Sequence, residues 1–203
     1  IANWDTYVTS LNKRLGLDNQ VMRVIGNKAR RDPKRIVFAE ADNIKILKAA
    51  QIVFDEGIGY PILLGDENKI KNMAAANGID IEELPIFDPR SDATEDRRNK
   101  YSEIFFAKRG RRGFNAYEAK KVMRDRNYYG CMMVECGDAD AMISGLAKNY
   151  PDTIRPAIQT IGTEEGVKKI AGMYLMLTKK GPLFLADTTV NFNPTAEELA
   201  EIT

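Results

Sequence analysis

Two polar turns in this sequence follow short apolar runs, which is where an open parallel sheet binds its ligands. Ser144-Gly145 follows the run "DADAMI", and Asp187-Thr188-Thr189 follows "LFLA". The Ser144 hydroxyl and the bare backbone of Gly145 can hold an anion through free N–H groups. Thr188 can donate to a phosphate, and Asp187 can orient a base or a thiol. Ordinary turn chemistry of Ser, Asp and Thr is the alternative for each turn taken alone.

Basic side chains offer a second route to an anionic ligand. Arg155 stands alone near the start of an otherwise apolar helix. Its planar guanidinium can bind phosphate or carboxylate through two hydrogen bonds. The alternative is that Arg155 is an ordinary surface residue. The segment from Lys108 to Arg126 holds eight Lys or Arg against Glu118 and Asp125. Three interpretations of this segment stay open: a solvated pair of charged helices, a site for a phosphate-rich cofactor such as coenzyme A, or a nucleic-acid surface.

The composition excludes several classes of site and partner. The chain has 203 residues and no histidine, which removes Ser-His-Asp catalysis and the histidine-containing zinc motifs. Its formal net charge is +1, and no nucleic-acid motif is present, so no nucleic-acid partner is expected. No run approaches the roughly 20 apolar residues of a membrane helix, and the first residues do not resemble a signal peptide. We therefore expect a cytoplasmic protein without a membrane partner.

The two cysteines do not indicate a metal site. Cys131 and Cys136 lack the CxxC spacing of a zinc or redox motif. We interpret them as reduced thiols of the core, and no metal site is predicted.

A regular alternation of apolar runs and amphipathic segments predicts the fold class. The runs "RIVFAE" (35–40), "YPILLGD" (60–66) and "LPIFDP" (84–89) are typical of buried strands, and helices are predicted between them, the first capped by Asp42. This order favours a doubly wound α/β fold with a mostly parallel sheet. The other predicted elements are helices at 4–15 and 19–31, a charged helical stretch (94–126), a helix ending at Gly137, a strand ending at Ser144, a helix ending at Gly162, two apolar strands and a last helix.

We divide the chain into a helical lead-in (1–34) and an α/β domain (35–203). The last predicted helix starts with Thr195 and Glu198 in capping-box spacing. The sequence stops before any signal that would end this helix, which carries the apolar residues Leu199 and Ile202. We therefore expect the α/β domain to be truncated at its C-terminus, as a fragment of a longer protein.

Long segments of the chain resemble the phosphate acetyl/butyryltransferase family. They read "VECGDADAMISGLAKNYPDTIRPAIQTIG" and "LFLADTTVNFNPTAEELAEI". The variant with "KNYP" resembles the C-terminal phosphotransacetylase-like domain of the large bacterial NADP-dependent malic enzymes. The segment "PKRIVFAEADNIKILKAAQIVFDEGIGYPILLGD" and the lead helix "NWDTYVTSLNKRLG" are similar to the same domain, so the resemblance covers essentially the whole chain.

The resemblance implies a three-layer α/β fold of the isocitrate/isopropylmalate dehydrogenase type, in its phosphotransacetylase form. It implies acetyl-CoA or CoA, and phosphate, as ligands. Arg109 matches the arginine of the family's Arg-Lys-x-Lys-Gly-x-Thr loop, which reads "RGRRGFN" here, with Asn115 in place of the threonine. The residues that match the family's motifs, and that we expect to bind these ligands, are Arg109, Ser144, Gly145, Arg155, Asp187 and Thr188.

The sequence also departs from the transferase pattern. After Ser-Gly, the transferases carry a small, polar run like His-Ser-Thr, whereas Leu146, Asn149 and Tyr150 are bulkier. In the family, a Ser-Arg pair and a catalytic Asp lie in a C-terminal part that we expect to be absent from this chain. We therefore name no catalytic residue.

The resemblance implies two functions that stay open. The first is a regulatory and assembly domain that senses acetyl-CoA and holds a malic enzyme in a homo-oligomer. In that case NADP and a divalent metal bind to the malic enzyme module, which lies in cis and outside this chain. The alternative is an active phosphate acetyltransferase, which moves an acetyl group between CoA and phosphate.

Overall fold

The computed structural model describes residues 4–178, 181–187 and 189–202, with only the backbone described at residues 9 and 11–20. The chain forms two compact units. The larger unit is Ala29–Gly162, and the smaller one combines Ile1–Lys28 with Thr163–Thr203. The division at residue 34 stays a prediction. None of the helices in the described part of the chain contains an apolar stretch that could span a membrane.

A parallel sheet of four strands forms the centre of the larger unit. Its order is β3-β2-β1-β4, and every neighbouring pair is parallel. The strands are β1 (Lys34–Phe38), β2 (Gly59–Leu64), β3 (Ile86–Phe87) and β4 (Ala141–Ile143). The predicted α/β class with a mostly parallel sheet is confirmed.

Helices cover both faces of this sheet. They are α2 (Ile44–Asp55), α3 (Glu67–Ala76), α4 (Glu95–Arg109), α5 (Ala116–Val122), α6 (Arg126–Glu135) and α7 (Tyr150–Thr160). Successive residues of a strand point to opposite faces. Phe38 and Leu63 accordingly enter a core with α2 and α3, whereas Val37 and Leu64 enter a second core with α4 and α6.

A glycine lets α6 approach the sheet closely. A Cβ atom at Gly130 would lie 2.7 Å from the Met142 Sδ and 3.1 Å from a methyl group of Val37. These distances are shorter than ordinary contacts, so a larger residue would require the side chains of Met142 and Val37, or α6 itself, to shift. The close approach matters because the first residues of α6 belong to the candidate site.

Two local predictions were wrong. The chain forms one helix, α1 (Trp4–Arg31), where two were predicted. The glycine at position 16 costs a helix only about 1 kcal/mol, whereas Pro33, just beyond α1, cannot continue it. The cap of α2 is Asn43, which accepts the Lys45 N–H at 2.9 Å. Asp42 instead pairs with the guanidinium of Arg126 at 2.6 Å.

The predicted apolar strands near the C-terminus pair with each other. β5 (Met173–Thr178) and β6 (Gly181–Ala186) form an antiparallel two-stranded sheet, separate from the parallel one. The last helix, α8 (Ala196–Ile202), starts with the predicted capping box: the Thr195 N–H donates to Glu198 at 2.9 Å, and the Glu198 N–H donates to the Thr195 hydroxyl at 3.3 Å.

Candidate functional site

The turn between β4 and α7 binds a carboxylate of the same chain, that of Glu40. The Glu40 carboxylate accepts the backbone N–H groups of Gly145 at 3.0 Å, Leu146 at 2.7 Å and Ala147 at 2.9 Å. Burial alone would raise the pKa of Glu40, which is only 6% exposed, but these N–H groups outweigh it and hold the pKa below its ordinary value. The sequence-predicted N–H groups of this turn are therefore donated to a carboxylate of the chain itself.

The Ser144 hydroxyl also bonds to the protein. It donates to the side-chain oxygen of Asn127 at 2.9 Å, and Asn127 is fully buried. The Asn127 amide nitrogen in turn donates to the Asp152 carbonyl at 3.4 Å, in the first turn of α7. Asn127 thereby ties the start of α6 to the end of β4 and to α7.

A pocket of about 280 Å³ lies beside this turn. Its charges are those of Lys148 and Arg155, opposed by Asp125 and Asp152. Lys148 pairs with Asp125 at 2.8 Å, whereas Arg155 lies 3.8 Å from Asp152 and is 60% exposed. Arg155 is thus the more loosely held of the two cations and the better placed to turn toward an incoming anion. Six residues line the pocket: Asp125, Tyr128, Lys148, Asp152, Arg155 and Pro156.

Arg109 holds the end of α7. Its guanidinium donates to the carbonyl groups of Gln159 at 2.7 Å and Ile158 at 2.6 Å. Burial, followed by the nearby charge of Arg112, lowers the pKa of Arg109 from its ordinary value. Lys108 donates to the next carbonyl, that of Thr160, at 3.0 Å. Two cations therefore satisfy the last carbonyl groups of this helix, which is where positive charge stabilises a helix.

The basic loop after α4 also carries exposed cations. Gly110–Arg112 form a short 3₁₀ turn, and Gly113 follows with a φ of 98°. Arg111 and Arg112 are both exposed. They can therefore contact a phosphate-rich ligand directly, whereas Arg109 would first have to break its hydrogen bonds to the end of α7.

Asp187 closes a turn in the smaller unit. Its backbone has a positive φ of 51°, and its carboxylate accepts the N–H groups of Val190 at 3.3 Å and Asn191 at 3.2 Å. Thr188, the other predicted ligand in this turn, lies outside the described residues.

Sequence reasoning missed the residues that organise this site, namely Glu40, Asn127 and Lys148. One signal was visible: "RIVFAE" ends a buried apolar run on a glutamate, and a charged residue is rarely buried without a partner. The partner was not visible, because it depends on β1 lying next to β4. In that pairing Phe38 faces Ile143, so Glu40 falls beside Gly145.

The described residues offer no group of His, Cys, Asp or Glu side chains that could hold a metal ion. The cysteines are free thiols, Cys131 buried and Cys136 half-buried.

Comparison with known proteins extends these observations. Residues 20–203 match the family model described as phosphate acetyl/butaryl transferase. The chain is 37% identical over 188 residues to a phosphate acetyltransferase of Thermoanaerobacterium thermosaccharolyticum, covering 90% of the chain and 56% of that protein. It is 33% identical over 204 residues to an NADP-dependent malic enzyme of Escherichia coli, covering 100% of the chain and 27% of that protein.

A comparison with solved structures also finds a phosphotransacetylase. The EutD phosphotransacetylase from Staphylococcus aureus superposes with a TM-score of 0.81 at 28% identity, over 91% of the chain and 55% of that protein. The chain thus spans about half the length of some phosphate acetyltransferase relatives, and about a quarter of the length of others and of the malic enzymes.

Proposed function

Since the chain belongs to the phosphate acetyl/butaryl transferase family, we propose that it is the phosphotransacetylase-like part of an NADP-dependent malic enzyme, where it binds acetyl-CoA as a regulatory and oligomerisation module. The whole protein would then oxidatively decarboxylate malate to pyruvate. NADP and the divalent metal of that reaction would bind to the malic enzyme module in cis.

One observation carries this proposal. The malic enzyme relatives align with 100% of the chain, whereas the phosphate acetyltransferases align with 83–90% of it. The family model likewise starts only at residue 20. The first residues, which form most of α1, therefore lie outside the family model and inside the alignments with the malic enzymes.

The pocket beside the β4–α7 turn fits an acyl-phosphate or phosphate group. Arg155 is exposed and loosely paired, and Lys148 lies on the same pocket. We assign these two cations to the phosphate or acyl end of the ligand. For the phosphates of coenzyme A, Arg111 and Arg112 are exposed, whereas Arg109 would first have to release the end of α7.

Inhibition of malate oxidation by acetyl-CoA in the full-length protein tests the proposal. We expect Arg155→Ala to raise the acetyl-CoA concentration for half-inhibition by about tenfold or more, since it removes a charge-assisted contact. Arg90→Ala is the control, because Arg90 is another exposed arginine of the same unit. Unchanged inhibition in Arg155→Ala would refute the assignment of this site, and the absence of any effect of acetyl-CoA on the wild type would refute the regulatory role.

An active phosphate acetyltransferase is the second candidate. It is favoured by sequence identity, which is 36–38% to three phosphate acetyltransferases and 31–33% to three malic enzymes. The test is the formation of acetyl-CoA from acetyl phosphate and CoA by the full-length protein. Turnover that Arg155→Ala abolishes would establish this candidate, and acetyl-CoA binding without turnover would favour the regulatory module.

A further inference from the structure

Glu40 is a buried charge that the proposed function does not use. It lies two residues beyond the end of β1, is only 6% exposed, and uses both carboxylate oxygens on the turn that follows the neighbouring strand. Gly145, the first donor, has a φ of 114°, which residues with a Cβ rarely adopt. The turn therefore has an unusual backbone conformation, held from one side by a single carboxylate.

The two oxygens of Glu40 have different tasks. One oxygen accepts both Gly145 and Leu146, and the other accepts Ala147. A glutamine has one acceptor oxygen, so it can keep the first pair only by turning its NH₂ group toward the Ala147 N–H. The glutamine NH₂ group and the Ala147 N–H, both donors, would then face each other without an acceptor in a buried place, which destabilises the folded protein. A second acceptor oxygen, which the carboxylate supplies and an amide of the same size does not, is thus required at Ala147.

The segment that Glu40 holds leads directly into the pocket. Lys148 follows Ala147, and the Lys148 N–H also contributes to the lowered pKa of Glu40. The Lys148 ammonium lines the pocket with Arg155 and pairs with Asp125 at 2.8 Å. A shift of Ala147 would therefore move Lys148 relative to Arg155.

We infer that Glu40 is a positioning residue: its carboxylate fixes the backbone of residues 145–148 and thereby sets Lys148 against Arg155 for anion binding. The effect on the ligand rests on the proposed function, whereas the effect on the turn does not. An external anion does not take the place of this carboxylate, because the N–H groups of the turn are already donated to it.

The first measurement is hydrogen exchange of the full-length protein, followed by mass spectrometry, for wild type, Glu40→Gln and Glu67→Gln. Glu67 is an exposed glutamate of α3 that pairs with Lys71, so its substitution removes the same charge at the surface. We expect exchange in peptides covering residues 145–148 to rise about tenfold or more in Glu40→Gln, with β2 unchanged and with no rise in Glu67→Gln. Equal protection of the turn in wild type and Glu40→Gln would overturn the inference.

The second measurement is calorimetric titration of inorganic phosphate into the same proteins. We expect Glu40→Gln to weaken phosphate binding by about tenfold, comparable to Arg155→Ala. Faster exchange with unchanged phosphate affinity would overturn the link from Glu40 to the pocket. If wild type binds neither phosphate nor acetyl-CoA, the proposed function fails, and hydrogen exchange still decides whether Glu40 holds the turn.

Chemical rescue tests whether the negative charge of Glu40, and not only the volume of its side chain, holds the turn. Glu40→Ala leaves three N–H donors around a small space, which formate can fill with a carboxylate of the right charge. We expect formate, but not the neutral formamide, to restore protection of residues 145–148 and phosphate affinity in Glu40→Ala. Equal rescue by formamide, or failure of formate in a folded variant, would overturn the role of the charge.

Discussion

At the candidate site of the larger unit, most polar side chains form their hydrogen bonds with other groups of the protein. Glu40 occupies the N–H groups of the β4–α7 turn, and the Ser144 hydroxyl donates to Asn127. Arg155 differs, because its nearest carboxylate is 3.8 Å away and most of its side chain is exposed. The site therefore combines polar groups that are already bonded within the protein with one loosely paired cation, Arg155.

The lowered pKa of Glu40 predicts a pH-dependent stability difference. A carboxyl group whose pKa is lower in the folded state stabilises that state above its unfolded pKa, and this contribution is lost as the pH falls through the folded pKa. We expect Glu40→Gln to lower the free energy of unfolding by about 2 kcal/mol at neutral pH. The difference from wild type should shrink as the pH falls below the ordinary glutamate pKa, about 4.3, and disappear once the pH is below the lower pKa of the folded carboxyl. Urea unfolding at several pH values measures it, and a difference that does not change with pH would contradict the assignment.

The two thiols should differ in reactivity. Burial raises the pKa of Cys131 to about 11, and Cys131 is only 2% exposed. Burial also raises the pKa of Cys136, which is partly accessible. Because the thiolate is the reactive form, we expect an aromatic disulfide reagent at pH 8 to modify Cys136 first and Cys131 only upon unfolding. Cys136→Ser should remove the early phase of the absorbance change; an early phase that persists in this variant would show that Cys131 is accessible.

Helix ends position the pocket within the larger unit. The start of α6 supplies Asp125, which caps the helix and pairs with Lys148, and Asn127, which binds Ser144. The end of α7 is held by Lys108 and Arg109 from the end of α4. The pocket between α6 and α7 therefore depends on contacts at both ends of α7.

Arg109 is expected to contribute to stability through α7. Arg109→Ala leaves two carbonyl groups of the last turn without their charged donor, and we expect it to lower the free energy of unfolding by about 2 kcal/mol. Arg112→Ala is the control, since Arg112 is exposed, and a change within about 0.5 kcal/mol is expected. Urea unfolding measures both. An Arg109→Ala protein with wild-type stability that no longer binds acetyl-CoA would place Arg109 in the ligand site instead.

For the molecule as a whole, the β5–β6 sheet of the smaller unit exposes large apolar side chains on both of its faces. A two-stranded sheet is marginal on its own, and large apolar patches usually mark interfaces. The chain carries a formal net charge of +1, so charge repulsion between copies is weak. The exposed apolar residues of these strands are Met173, Tyr174, Leu175, Met176, Leu183, Phe184 and Leu185.

This surface predicts self-association of the chain. In a twofold contact each copy presents the same surface, so one substitution acts twice. We expect the chain to dimerise or assemble further in sedimentation equilibrium, and Phe184→Glu to weaken the association constant by about tenfold or more. Tyr117→Glu is the control, since Tyr117 is a 75% exposed aromatic residue of α5. A wild-type chain that stays monomeric at high concentration would refute this use of the sheet.

Much of the fold was predictable because its signals are local. The alternation of apolar runs and amphipathic segments located β1, β2 and β3 and the helices between them, and Gly57, Gly78 and Gly137 stand at helix ends with positive φ. The errors were local as well. Two helices were predicted at 4–15 and 19–31 where the chain forms one, and Asp42 was predicted as a cap although Asn43 fills that position.

The candidate site was predictable only in part. The position of Ser144-Gly145 after a strand, and of Arg155 in the next helix, follows from spacing along the chain. The partners of these residues do not, since Glu40 and Gly145 lie 105 positions apart, and Arg109 and Gln159 lie 50 apart. Periodicity reports on neighbours within a few residues, whereas such contacts depend on strand order and on how closely helices approach the sheet. For that reason the sequence was enough to identify the α/β class and the anion-binding residue types, and three-dimensional packing was needed to show that the turn is already occupied by Glu40.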